Sequence, residues 1–130
     1  MTTQEAFNTV WQHFVVEKNP PATFITDDGR VRCRYRDSDG NRCAAGVLIP
    51  DHLFNELMEG QSISSLLYGY PEVRRLLHEV PPHFLARLQG CHDSVAIALS
   101  GLEVDRQIFT QRIETALQKL ADEYALEVPA

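Results

Sequence analysis

Four arginines stand at alternate positions, Arg30, Arg32, Arg34 and Arg36. On an extended strand a period of two projects all four from one face, their bases roughly 6.6 Å apart, while Val31, Cys33 and Tyr35 point the other way. Arg42 joins the row from a neighbouring strand if the register allows. Like charges set so close repel unless something anionic stands among them. The sequence leaves two sources of compensation open. Asp27, Asp28, Asp37, Asp39 and acidic helices can turn the row into a solvated, ion-paired face, an arrangement worth little energetically. Alternatively the row is an anion site, for which the planar guanidinium fork is suited because it makes two parallel bonds to phosphate or carboxylate. On that reading Arg32, Arg34, Arg36 and Arg42, with Tyr35 and His92 nearby, contact a small anionic or nucleotide-like ligand, or an acidic protein surface.

Thiol chemistry is the second candidate. Cys43 precedes Ala44-Ala45-Gly46, and a helix starting there would lower its pKa and offer backbone N–H groups to an oxyanion. His92 would then serve as base, with Asp93 or Asp51 orienting it, in a cysteine-dependent hydrolase or transferase. Adjacent His and Asp on a helix point in different directions, so nothing in the order of residues brings these groups together. A small zinc domain is a lesser alternative, with Cys33, Cys43 and Cys91 joined by His92 or His52. Its spacing is wrong, since structural zinc ligands come in pairs two to four residues apart and Cys91 and His92 diverge by about 100° around a helix. No metal and no cofactor is expected. Gln89, His92 and Asp93 recur at i, i+3, i+4 beside an apolar stripe, as either a lined pocket or hydrogen bonds that anchor one element to another.

These residues must be held by a small scaffold. The chain has 130 residues, 44% hydrophobic and 23% charged, enough for one domain with one core. Twelve Lys and Arg against eighteen Asp and Glu give a net charge of −6, which opposes generic attraction to nucleic acid or anionic membranes. No apolar run approaches the roughly 18 residues of a membrane span. The opening MTTQEAFNTVWQHF lacks a basic n-region, so no secretory signal is expected. Three widely separated cysteines favour a reducing cytosol over a disulfide framework.

The elements follow from periodicity. Phe7, Val10, Trp11, Phe14 and Val15 form one helical stripe, with Thr2 and Glu5 as a capping box and Pro20-Pro21 as the stop. Residues 23–45 read as a three-stranded antiparallel meander, its second hairpin clearer than its first. Everything later reads as helix: a short one from Pro50 to about Met58, a turn at Ser62–Leu67, and one opening at Pro71. A long helix carries Phe84, Leu88, Cys91, Val95 and Leu99. A last one, capped by Ser100 and Glu103, carries Val104, Ile108, Ile113, Leu117 and Leu120. Phe109 and Tyr124 are left over, apolar residues that would suit a homodimer. The predicted fold is α+β, mainly α: an N-terminal helix, a small β-meander at about 23–45, then several helices in one domain spanning 1–130.

One group of motifs is similar to a known family. Cys33-Arg34-Tyr35-Arg36, Gly40, Cys43-Ala44-Ala45-Gly46, Leu48-Ile49-Pro50-Asp51, Glu59-Gly60, and Leu88-Gln89 with His92-Asp93 resemble the small uncharacterised proteins of bacteriophages, prophages and bacterial genomes. The resemblance covers about a third of the chain. It brings no catalytic assignment. It implies a phage-type accessory protein in the bacterial cytoplasm that interferes with the host or with its defences, by covering a protein surface or sequestering a nucleotide signal. The sequence therefore leans toward binding over catalysis.

Overall fold

The first helix, α1 (Thr3–Trp11), begins at the expected capping box: the Thr2 hydroxyl accepts from the Glu5 amide and the Glu5 carboxylate accepts from the Thr2 amide. In this computed structural model, which describes residues 1–99 and 106–129, α1 runs on into a π-helical turn at Gln12–Val16. The wider turn keeps Phe14 in the core with Phe7, Val10 and Trp11. Two strands follow, β1 (Thr23–Ile25) and β2 (Val31–Cys33), paired antiparallel with Phe24 opposite Arg32. Then come α2 (Ala44–Leu48), a 3₁₀ turn at Glu56–Met58, α3 (Ile63–Gly69), α4 (Pro71–Leu76), α5 (Pro82–Ala98) and α6 (Arg106–Glu123). The fold is α+β and mainly α, as the periodicities predict. Among the described residues no helix is long and apolar enough to cross a membrane.

The meander is smaller than its sequence implies. Its first hairpin forms, closed by Gly29 at positive φ. Its second is a single bridge between Arg36 and Arg42, closed by an Asp37 carboxylate that accepts from the Asp39 and Asn41 amides. No third strand grows there because the chain enters α2 at once, with Cys43 as its N-cap and Sγ accepting from the Gly46 amide. The short helix expected from Pro50 is likewise a turn followed by the 3₁₀ segment, whereas the turn expected at Ser62 is the seven-residue α3.

The core is built on α5 and α6 packed against α1 and its π turn. Phe7, Phe14, Phe84 and Phe109 are fully buried. In α5, His92 takes the interior place expected of Cys91. In α6 the buried stripe is Phe109, Ile113, Leu117 and Leu120, with Ile108 exposed. The apolar pair that pointed to a second copy is thus used internally: Phe109 packs edge-on against Phe14, and Tyr124 against Phe84 at 4.9 Å. The expected cap at Ser100 and Glu103, and Val104 with it, lie outside the described residues.

Gly46 marks the tightest joint. A Cβ there would lie 2.1 Å from the carbonyl oxygen of Tyr35, which also accepts from the Cys43 amide. Substituting Gly46→Ala forces the start of α2 off the strand exit. Urea denaturation should show a loss of about 3 kcal/mol, the upper end of ordinary overpacking.

Candidate functional site

The segment from Ala22 to Gln61 contains little regular structure, so its backbone donors need side-chain acceptors. Beyond the local turns, two side-chain groups supply them across long stretches of chain. Glu59 is the first: its Oε1 accepts from the Tyr35 amide at 2.7 Å and its Oε2 from the Arg36 amide at 3.2 Å. Arg34 Nε lies 3.4 Å from the same carboxylate, and its guanidinium stands over the Phe24 ring at 5.2 Å. The polar face of α5 is the second. Gln89 Oε1 accepts from the Ala45 amide at 2.8 Å, while its Nε2 donates to Asp93 Oδ1 at 3.0 Å. His92 is fully buried; its Nε2 accepts from the Ala22 amide at 3.2 Å, and its Nδ1 lies 2.9 Å from Asp93 Oδ1.

The tautomer of His92 follows from these partners. An amide N–H can only donate, so Nε2 carries the lone pair and Nδ1 carries the proton, which it donates to Asp93. Neighbouring His and Asp side chains thus meet, contrary to the expectation that they diverge. Of the two readings open for Gln89, His92 and Asp93, anchoring describes Gln89 and His92. Asp93 also borders open space.

That space is a cleft between β2, the Glu59–Ile63 segment and α5. It has two adjoining parts of about 460 and 650 Å³, which share Cys33, Arg34, Glu59, Gly60 and Asp93. Ala86 and Gly90 give α5 a low wall on one side. On the other, Phe24, Arg32 and Ile97 form the rim. Arg32 is exposed and makes no ion pair among the described residues.

The single arginine face does not exist. β2 ends at Cys33, so the period of two is not carried on to Arg34 and Arg36. Arg30 stands beside Asp28, Arg34 beside Glu59, and Arg36 and Arg42 share Asp51 at 2.7 and 2.8 Å. Arg36 also donates to the Ile49 carbonyl and covers the Phe54 ring at 4.4 Å, which makes it a structural clamp. Tyr35 is buried with its hydroxyl donating to the Gln61 carbonyl. Of the expected ligand contacts, only Arg32 and Arg34 offer their charge to the cleft.

The thiol reading fares no better. Cys43 has no exposed surface, and burial pushes its pKa up to about 12, outweighing the helix-start amides that lower it. His92 has both nitrogens committed, so it is not poised to take a proton from that thiol. Cys33 is also pushed up, by burial first and then by the Asp93 carboxylate, and Cys91 to about 11 by burial. Among the described residues one cluster has metal-ligand composition, Cys33, His92 and Asp93, with donor atoms within 4.8 Å of one another. Cys43, Cys91 and His52 are not part of it. Its imidazole lone pair is aimed at the Ala22 amide, so a zinc ion there would have to break a buried hydrogen bond.

Glu59, Phe24, Gly90 and Ile97 escape the sequence reading as cleft residues. Only Glu59 leaves a trace there, as one letter of the Glu59-Gly60 motif. No family model, no curated protein and no solved structure matches the chain.

Substituting Glu59→Ala strands the Tyr35 and Arg36 amides. At about 1–3 kcal/mol for each buried donor left unpaired, urea denaturation should show a loss of roughly 2–4 kcal/mol. A pH series tests the thiols. Their folded pKa values are raised above the ordinary 9.0, so the folded chain keeps protons that the unfolded chain gives up. Stability should hold up to about pH 8, then fall above about pH 9 as the pH climbs toward those folded values. A melting temperature unchanged through that range would contradict the burial of these groups.

Proposed function

We propose that this chain is a non-enzymatic binding protein that holds a small anionic, nucleotide-like ligand in the cleft between β2 and α5. The observation that carries this reading is the rim of the cleft. Arg32 is a cation without an ion-pair partner there, set next to the partly exposed Phe24 and Ile97. A flat apolar body can lie against Phe24 and Ile97 while an attached phosphate meets the guanidinium of Arg32. Arg34, partly neutralised by Glu59 and backed by Phe24, adds a second donor at the same place. A local cation in a chain of net charge −6 also favours small anions over long polyanions.

The resemblance of the motifs to phage and prophage proteins supports the same reading, with sequestration of a nucleotide signal in the bacterial cytoplasm as the role. Burial of Cys43 and the double engagement of His92 support binding over catalysis.

Thermal denaturation against a panel of mononucleotides and cyclic nucleotides tests the reading. A ligand at a hundredfold over its dissociation constant adds about 2.7 kcal/mol of stability, an easily measured shift. Replacing Arg32 by Ala should abolish most of that shift while leaving the ligand-free melting temperature unchanged, because the side chain is exposed. No shift with any nucleotide would remove the small-ligand form and leave the acidic protein surface as the remaining partner.

A further inference from the structure

We infer that the cleft selects guanine, and that Asp93 is the residue that reads it; this rests on the nucleotide-binding reading above. Asp93 lines both parts of the cleft, and its side chain is 36% exposed. Its orientation is fixed from behind, because Oδ1 receives the Gln89 amide and the His92 ring N–H, and the Cys33 thiol also stands against the carboxylate. Among the described residues no arginine or lysine lies within ion-pair distance of it. His92, its one close basic neighbour, is held in the neutral tautomer by the Ala22 amide. The cleft therefore presents an oriented carboxylate whose charge is not cancelled locally, besides the arginines at its rim.

A carboxylate only accepts hydrogen bonds, and with Oδ1 already accepting two, the partner that suits it best brings two adjacent N–H donors to the other oxygen. Among the common bases guanine alone has them on its pairing edge, the ring N1–H next to the exocyclic amine. Adenine and cytosine place a lone pair beside their amine, which would face the carboxylate and be repelled. Uracil flanks its one N–H with two carbonyls. Hypoxanthine keeps the ring N–H and lacks the amine. A purine also matches the flat apolar rim of Phe24 and Ile97, with its phosphate directed to Arg32. Asp93 and Arg32 thus supply complementary poles for one molecule.

Calorimetric titration of the full chain with the monophosphates of guanosine, inosine and adenosine tests this directly. The guanine nucleotide should bind about tenfold or more tightly than the adenine nucleotide, with the hypoxanthine nucleotide in between, since one bond to a charged acceptor is worth about that factor. Equal affinities would overturn the role of Asp93 and leave the cleft reading standing. Failure of all three to bind would overturn both. Asp93→Asn offers an amide donor in place of one acceptor, so the guanine-to-adenine ratio should fall toward one. A folded variant that kept the full ratio would again overturn the assignment. Because the ratio in the unmodified chain is decisive by itself, the test survives a variant that fails to fold.

Discussion

Backbone donors, wholly or partly buried, with no strand or helix to pair with are the constraint on which this structure turns. Between Ala22 and Gln61 the chain makes one three-residue hairpin, a bridge, a five-residue helix and a 3₁₀ turn. Such a stretch leaves amides unpaired, and each one buried without an acceptor costs about 1–3 kcal/mol. Glu59 answers for Tyr35 and Arg36, Gln89 for Ala45, and His92 for Ala22. Each acceptor comes from outside the segment's own ladder, so the small sheet is hung on α5 and on the chain around Glu59. It could not stand alone, since an isolated two-stranded hairpin is marginal in water.

The same requirement settles where the charges go. Glu59 accepts two amides with its two oxygens, and the Arg34 guanidinium stands against the same carboxylate. Asp51 gathers Arg36 and Arg42, tying the bridge to the turn after α2. Arginines that look from the sequence like one anion-binding row are thereby divided among different carboxylates. Arg32 is exempt because it sits at the centre of β2 on its exposed side, where neither Glu59 nor Asp51 is within ion-pair distance.

Local physics was the legible part. The capping box at Thr2, the proline at the start of α4 and the apolar stripes of α1 and α5 depend on neighbours within a turn, and a sequence displays those directly. Long-range partners are what it conceals. A row of alternating arginines implies one face only while the strand continues, and β2 stops at Cys33 because the chain must turn to meet Glu59, some 25 positions later. Cys43 looks activatable from its place before a helix. Burial, which no local pattern records, decides its pKa instead. The contact between His92 and Asp93 was missed for the opposite reason: backbone direction separates neighbouring side chains, but rotation about their own bonds brings them together.

Anchoring and the cleft are one arrangement seen from two sides. Asp93 uses Oδ1 to hold Gln89 and His92, so the carboxylate is fixed in direction where it borders the cleft. Glu59 grips the strand exit with both oxygens and holds Arg34 at the cleft edge. Small side chains at Ala86 and Gly90 keep α5 from filling the gap between these anchors. A polar group positioned by buried hydrogen bonds loses little freedom when a ligand meets it, which is the condition for selective binding. Residues far apart in the chain meet at these anchors: Cys33, Tyr35 and Arg36 at the strand exit, Cys43 and Gly46 at the start of α2, Glu59, and Gln89, His92 and Asp93 on α5. Together they make the framework, and the framework in turn sets the shape and polarity of the cleft. Its rim is finished by exposed side chains, Phe24, Arg32 and Ile97.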